Sequence, residues 1–143
     1  ARELMLDGPN TGRWIPEILA ENDPEDQSYY PQMNGQFVFK HAITRFSEAI
    51  VEGLEANNLQ KEDIDMLIPH QANLRISKFI QKKFSLSDDK VHNNIMKYGN
   101  TTAASVIIAL TEAWEHGKVK DNDLVVLAAF GSGFTWGSVM IRW

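Results

Sequence analysis

The sequence predicts an α/β fold in which helices cover a mixed sheet that ends in an antiparallel strand pair. Apolar residues recur at three- and four-residue steps over residues 36–57, which is typical of an amphipathic helix. A short apolar strand over residues 65–68 leads into a second helical pattern. Near the end of the chain, two apolar runs flank a glycine turn at residues 131–133, so they should pair as antiparallel strands.

Residues 1–35 are interpreted as an irregular lead-in, because glycine and proline interrupt them repeatedly. They include a predicted short strand near residues 3–6 and a helical turn near residues 16–20. The later elements are predicted as helices over residues 36–57, 72–85 and 100–116, and as strands over residues 65–68, 92–95, 123–130 and 134–143. The 143 residues are expected to form a single domain.

The composition excludes several classes of protein. Hydrophobic residues make up 43% and charged residues 23%, which predicts a packed core rather than global disorder. The net charge of −5 argues against nucleic-acid binding, since phosphate contacts need concentrated Lys and Arg. No apolar run approaches the roughly 18 residues of a membrane-spanning helix. The start of the chain also shows no signal-peptide pattern.

The chain contains no cysteine, so disulfides, thiolate zinc sites and a cysteine nucleophile are absent from it. This fits a reducing compartment, and a cytoplasmic location is predicted. His41, His92 and His116 show no metal-ligand spacing with each other or with His70, so no metal site is predicted. Because the chain begins at Ala1 without an initiator methionine, it is expected to be processed or to be a piece of a longer protein.

The stretch DMLIPHQANLRI, residues 65–76, contains the first candidate site. Ligands bind at the carboxyl ends of strands in open α/β sheets, and His70 follows such a strand at the start of a helix. A histidine there can act as a general acid or base, or can donate a hydrogen bond to a developing oxyanion. Gln71, Asn73 and Arg75 add two amides and a guanidinium. Alternatively, His70 and Asn73 only cap the second helix.

Two further stretches have the composition of binding loops. KYGNTTAAS, residues 97–105, places Asn100 at the predicted start of the third helix, after Gly99, which permits a tight turn. The Asn100 amide can donate a hydrogen bond into a site, or it can serve as an ordinary N-cap. The glycines of AFGSGFTWGS, residues 129–138, allow backbone N–H groups to face a ligand, or they form a plain hairpin turn. No helix follows them, so this is not a dinucleotide-binding loop.

The three motifs PHQANLRI, YGNTTAAS and GSGFTWGS occur together in this order. From about residue 33 to Trp143, the sequence resembles the C-terminal half of a β-ketoacyl-acyl-carrier-protein synthase III, a condensing enzyme of fatty-acid synthesis. The stretches MNGQFVFKHAI and EANNLQKEDIDMLIPHQAN belong to the same resemblance. It implies a thiolase-like half, which joins a similar half in an α-β-α-β-α sandwich.

The resemblance implies that His70 and Asn100 are the family's catalytic histidine and asparagine. In the family, a cysteine from the other half takes an acyl group from acyl-coenzyme A. Malonyl-acyl carrier protein then loses carbon dioxide, and its carbanion attacks the acyl-enzyme. His70 Nε2–H and Asn100 Nδ2–H would stabilise the enolate oxygen. The resemblance implies no cofactor beyond these substrates.

The resemblance also implies binding roles. The Ser132 N–H would serve the second oxyanion hole, at a position where the family has glycine, and Phe130 would line the site. Asn73 would hold His70 or touch the pantetheine arm, and Gln36 stands at the pantetheine tunnel, where the family often has asparagine. The residues predicted to contact the acidic carrier protein or coenzyme A are Gln71, Arg75, Lys40, Lys82 and Lys83. For Lys82 and Lys83, a solvated helix surface is the alternative.

Three hypotheses about function follow. In the first, the chain is the C-terminal domain of a synthase III-type enzyme that is a homodimer when complete. It is then inactive alone because the cysteine-bearing N-terminal half is missing, and its face toward that half is apolar. In the second, it is a stand-alone module that binds acyl carrier protein. In the third, it belongs to a related secondary-metabolite condensing enzyme, since this half alone does not fix the acyl substrate.

Overall fold

A computed structural model describes residues 4–5 and 32–143 of the chain. The helices are α1 Gly35–Ala56, α2 Leu74–Lys83, α3 Ile95–Tyr98 and α4 Ala104–Glu115, and the strands are β1 Leu4–Met5, β2 Gln32–Met33, β3 Met66–Pro69, β4 Leu124–Gly131 and β5 Thr135–Arg142. β1 confirms the strand predicted near residues 3–6, and it pairs antiparallel with β2. The helical turn predicted near residues 16–20 lies outside the described residues. Among the helices that are described, none has the length and apolar character needed to cross a membrane.

The strands β3, β4 and β5 form the predicted mixed sheet, with β4 in the centre. β3 runs parallel to β4 and ends with Pro69 opposite Ala128. β5 runs antiparallel to β4, and the pairing next to the turn is Gly131 opposite Thr135. The antiparallel terminal pair is therefore confirmed. Because β3 and β4 are parallel, their carboxyl ends lie at the same edge of the sheet.

Helices cover both faces of this sheet because successive strand side chains alternate between the faces. α1 packs on one face and α4 on the other. The core on the α1 side includes Ala42, Phe46, Ile50, Leu67, Ile80, Leu124, Val126 and Ala128, and the core on the α4 side includes Met66, Ile68, Ala109, Ala113 and Val125. The carboxyl ends of β3 and β4 are thus held between the layer that contains α1 and the layer that contains α4.

Gly53 allows α1 to lie directly against β5. A Cβ atom at this position would collide with the methyl group of Met140 and would come within 2.7 Å of the Ser138 Oγ. Ser138 Oγ donates a 2.6 Å hydrogen bond to the Ala49 carbonyl, one turn earlier in α1. Glycine therefore preserves both the close approach and the bond that fixes it.

Two sequence predictions are wrong in the connection between α2 and α4. The strand predicted near residues 92–95 is reduced to one parallel bridge between Val91 and Leu67, and residues 95–98 form α3 instead. The predicted third helix starts at residue 100, whereas α4 begins at Ala104. The bridge does not extend because the backbone groups beyond Val91 bond the Gln71 side chain instead of β3: Gln71 Nε2 donates to the His92 carbonyl at 3.4 Å, and its Oε1 accepts the N–H groups of residues 94 and 95.

Candidate active site

The candidate site lies at the sheet edge where β3 and β4 end. The His70 N–H donates a 2.8 Å hydrogen bond to the Ala128 carbonyl, which continues the parallel pairing one residue beyond Pro69. The chain then enters α2, whose N-cap is Asn73, with its side-chain oxygen accepting the Arg75 N–H at 2.9 Å. The capping alternative is confirmed for Asn73. The His70 ring does not cap this helix, because it contacts α4.

The His70 ring is held at the start of α4. Its Nδ1 lies 2.6 Å from the Ser105 Oγ, and the same oxygen accepts the Gln71 N–H at 3.1 Å. Ser105 is buried, and His70 is half-buried. Burial lowers the pKa of His70 below its ordinary value of 6.5, so the ring is neutral at pH 7. Within the described part of the chain, no residue occupies the other nitrogen, Nε2.

Asn100 lies in the loop between α3 and α4, shortly before Ser105. Gly99 precedes it with φ 70° and ψ −161°, a conformation that favours glycine, so the predicted tight turn is confirmed. Asn100 Oδ1 accepts the Thr102 N–H at 2.9 Å, and its side-chain N–H groups have no hydrogen-bond partner among the described residues. The N-cap of α4 is Ala103, so the alternative that Asn100 caps this helix is wrong.

The glycine turn after β4 is formed by Ser132–Phe134, and it is not a regular helical turn because Gly133 has φ 75° and ψ 4°. The Thr135 hydroxyl donates a 3.1 Å hydrogen bond to the Ser132 carbonyl. The Phe134 ring packs edge-on against Phe130 and His41, with centroid separations of 5.3 Å and 5.4 Å. Phe130 is buried on the α1 side of the sheet. These rings anchor the turn to α1.

Backbone strain is present in two of the loops at this edge. Thr102, after Asn100, has φ 51°, and Phe134, in the glycine turn, has φ 56°. This left-handed conformation is unfavourable for β-branched and bulky side chains, by about 1–2 kcal/mol per residue. Strain of this kind persists only where the surroundings hold it, and it is typical of functional loops. It therefore favours a functional role for both loops.

Gln71 has an internal role instead of the surface contact that the sequence predicts. It is only 2% exposed. Its Nε2 donates to the carbonyls of Pro69 at 2.7 Å and His92 at 3.4 Å, and its Oε1 accepts the N–H groups of Asn94 and Ile95 at 3.0 Å and 3.1 Å. All its polar positions are used within the chain, so none is left for a carrier protein or coenzyme A. Gln71 instead ties the loop after β3 to the loop before α3.

The other predicted binding residues are exposed but lie on two helices. Gln36 and Lys40 lie in the first two turns of α1. Arg75 lies in the first turn of α2, whereas Lys82 and Lys83 lie in its last turn. None of these four basic side chains forms an ion pair within the described residues. Arg75 is thus close to His70 along the chain, whereas Lys82 and Lys83 lie at the far end of α2 from His70.

A buried polar network that the sequence does not predict holds the loop before Asn100. The Glu112 carboxylate on α4 accepts hydrogen bonds from Asn94 Nδ2 at 2.8 Å, His92 Nε2 at 3.2 Å and Lys97 Nζ at 2.8 Å. The bond from Lys97, followed by that from Asn94, lowers the pKa of Glu112 to about 2. A carboxylate within the apolar run VIIALTEAW signals such partners, because an unpaired buried charge is costly. No group of three metal-ligating side chains occurs in the described ranges.

Comparison with known proteins places this chain among condensing enzymes. The family model for the 3-oxoacyl-[acyl-carrier-protein (ACP)] synthase III C terminal matches residues 54–143. A β-ketoacyl-[acyl-carrier-protein] synthase III from Campylobacter jejuni subsp. jejuni serotype O:6 is 49% identical over 116 residues, covering 81% of this chain and 36% of that protein. One from Listeria innocua serovar 6a is 45% identical over 122 residues, covering 85% and 38%.

Solved structures of related proteins have the same architecture. The 3-oxoacyl-[acyl-carrier-protein] synthase III of Aquifex aeolicus VF5 superposes with a TM-score of 0.79 at 44% identity, covering 82% of this chain and 38% of that one. The corresponding protein of Pseudomonas aeruginosa PAO1 gives a TM-score of 0.81 at 34% identity, covering 98% and 44%.

The fold is therefore that of a thiolase-like domain of the condensing-enzyme class. The chain spans little more than a third of the length of the curated relatives that it matches. Within that class, the chain belongs to the β-ketoacyl-acyl-carrier-protein synthase III family and corresponds to its C-terminal part.

Proposed function

We propose that this chain is the C-terminal catalytic domain of a synthase III-type enzyme, which condenses an acyl-coenzyme A primer with malonyl-acyl carrier protein. Because the chain has no cysteine, the nucleophile comes from a part of the enzyme outside it. One observation supports this proposal most strongly. His70 Nδ1 and Asn100 Oδ1 are each engaged inside the chain, whereas His70 Nε2 and Asn100 Nδ2 have no partner among the described residues.

These two nitrogens would serve the decarboxylation step. The carbon–carbon bond to the malonyl carboxylate breaks, carbon dioxide leaves, and the electron pair forms an enolate whose charge lies on the thioester oxygen. His70 Nε2–H and Asn100 Nδ2–H donate to that oxygen, and preorganised donors need no rearrangement as its charge develops. The neutral ring of His70 brings no charge that needs a counter-ion.

The enolate carbon then attacks the acyl group on the cysteine, the new carbon–carbon bond forms, and the thiolate leaves. The acyl oxygen becomes an oxyanion during this attack, and we assign the Ser132 backbone N–H as one donor to it. Phe130 and Phe134 pack beside this turn and limit the access of water. The exposed Gln36, at the start of α1, is assigned to the pantetheine arm.

A reconstitution experiment tests the proposal. The chain is combined with a cysteine-bearing N-terminal half, and the β-ketoacyl product is detected by mass spectrometry after addition of acyl-coenzyme A and malonyl-acyl carrier protein. We expect product from the combined protein, and none from the chain alone or from a combination that lacks the cysteine. A combined protein that binds carrier protein but neither decarboxylates nor condenses would support the stand-alone binding module instead.

Carrier-protein docking gives a separate prediction. Lys40 and Arg75 have no carboxylate partner within the described residues, so they can attract an acidic partner. We expect the double variant Lys40→Ala, Arg75→Ala to weaken carrier-protein binding roughly 10-fold at low salt, and less at high salt because screening removes the same attraction. Binding is measured by titration calorimetry at two ionic strengths.

The matched control is Lys120→Ala, because Lys120 is also exposed but precedes β4 at the opposite end of the sheet. It should leave the affinity unchanged. An equal loss of affinity in the control would show that net charge, rather than this surface, governs binding. No loss in the double variant would move the docking surface elsewhere.

A further inference from the structure

Ser105 is the hydrogen-bond partner of the His70 ring. Its Oγ lies 2.6 Å from His70 Nδ1 and 3.1 Å from the Gln71 nitrogen, and no other polar atom of the described residues bonds it. Ser105 is 2% exposed, so bulk water does not compete for these positions. The hydroxyl therefore has two neighbours in total, one backbone donor and one ring nitrogen.

The number of hydrogens and lone pairs on the Ser105 hydroxyl determines which nitrogen of the His70 ring carries the proton. A hydroxyl has one hydrogen to donate and two lone pairs, and the Gln71 N–H occupies one lone pair. If His70 carried its proton on Nδ1, that hydrogen would occupy the second lone pair, and the buried hydroxyl hydrogen would have no acceptor. An unsatisfied buried donor is unfavourable. If His70 carries its proton on Nε2 instead, every group is satisfied, because the Ser105 hydroxyl donates its hydrogen to the unprotonated Nδ1.

We infer that Ser105 is a positioning residue that fixes the proton of His70 on Nε2 by donating its hydroxyl hydrogen to Nδ1. The inference rests on the proposed function for its purpose, since only the Nε2–H form can donate to the enolate oxygen. Ser105 itself touches no reacting atom. Gln71 also contributes, because its N–H occupies one lone pair of the Ser105 hydroxyl, on the side away from the ring.

The tautomer can be read directly from long-range ¹H–¹⁵N correlation spectra of the ¹⁵N-histidine-labelled chain near pH 7. We expect His70 to be protonated at Nε2 in the wild type, to show both tautomers in Ser105→Ala, and to return to the Nε2–H form in Ser105→Thr. His92 is an internal reference, because Lys118 Nζ and Glu112 hold its two nitrogens in every variant.

A pH titration in the same spectra gives a second readout. The hydroxyl stabilises the neutral ring, so its loss should raise the pKa of His70 in Ser105→Ala above the wild-type value. Ser87→Ala, which changes an exposed serine, should alter neither readout. An Nδ1–H tautomer in the wild type, or an unchanged tautomer and pKa in Ser105→Ala, would overturn the inference.

The reconstituted enzyme separates this inference from the proposed function. There, Ser105→Ala should lower kcat for malonyl decarboxylation roughly 3- to 10-fold with little change in KM, since the ring loses its preferred tautomer but not its place. Correct tautomers together with an undiminished rate in His70→Ala would reject the proposed function alone. A wrong tautomer together with a rate that depends on His70 would reject only the role of Ser105.

Discussion

Malonyl decarboxylation by the reconstituted enzyme is expected to fall roughly 10²–10³-fold when His70 or Asn100 is replaced by alanine, because under the proposed function each change removes one donor to the enolate oxygen. The donors act on charge that develops in the transition state, so kcat should fall and the KM for malonyl-acyl carrier protein should change little. Carbon dioxide release, followed at saturating substrate, measures the step without requiring the later condensation.

The double variant adds information that the single variants lack. The proposed function has both donors bonding one oxygen, so their losses are expected to be non-additive, and the double variant should be little worse than either single variant. His116→Ala is the matched control, since His116 is an exposed histidine beyond the end of α4. Wild-type decarboxylation in both single variants would end the assignment of His70 and Asn100 as the catalytic pair.

The parts of the fold with strong local periodicity are predictable from the sequence. The residue steps of α1 encode one buried face, and the continuous apolar run of β4 encodes a strand that is buried on both faces; the structure confirms both elements within a few residues. The connection at residues 86–103 is not predictable in the same way. Its path depends on the bonds of His92 and Asn94 to Glu112, which are twenty and eighteen residues apart in the chain and leave no periodic pattern.

The residues of the candidate site also differ in whether the sequence predicts their positions. The position of His70 after a buried strand predicts its place at the sheet edge, because strand ends define that edge. Ser105 carries no comparable signal, since a buried serine among TTAAS looks like another small helix residue. For Gln71, the sequence predicts the wrong environment. Its polar side chain suggests a surface contact, whereas only the fold shows that backbone groups surround it.

Glu112→Ala should reduce the free energy of unfolding of the chain by about 2–4 kcal/mol, because it leaves His92 and Asn94 as buried donors without an acceptor. Both residues are about 5% exposed in the intact chain, and Glu112 is the acceptor for the side chain of each. Glu112→Gln keeps the volume and one acceptor oxygen, and a smaller loss of about 1–2 kcal/mol is expected. Urea unfolding at pH 7 measures both values.

The pH dependence separates the charge of Glu112 from its packing. The folded-state pKa of about 2 lies below the ordinary value of 4.5, so the stabilisation by the charged form is present above pH 4.5 and is lost as the pH falls toward 2. The difference in stability between wild type and Glu112→Gln should therefore shrink between pH 6 and pH 3. Glu115→Gln, a change of the exposed glutamate at the end of α4, is the control and should follow the wild type. A constant difference across this range would mean that the carboxylate acts through shape alone, and that its hydrogen bonds to Lys97 and Asn94 do not hold the loop before Asn100.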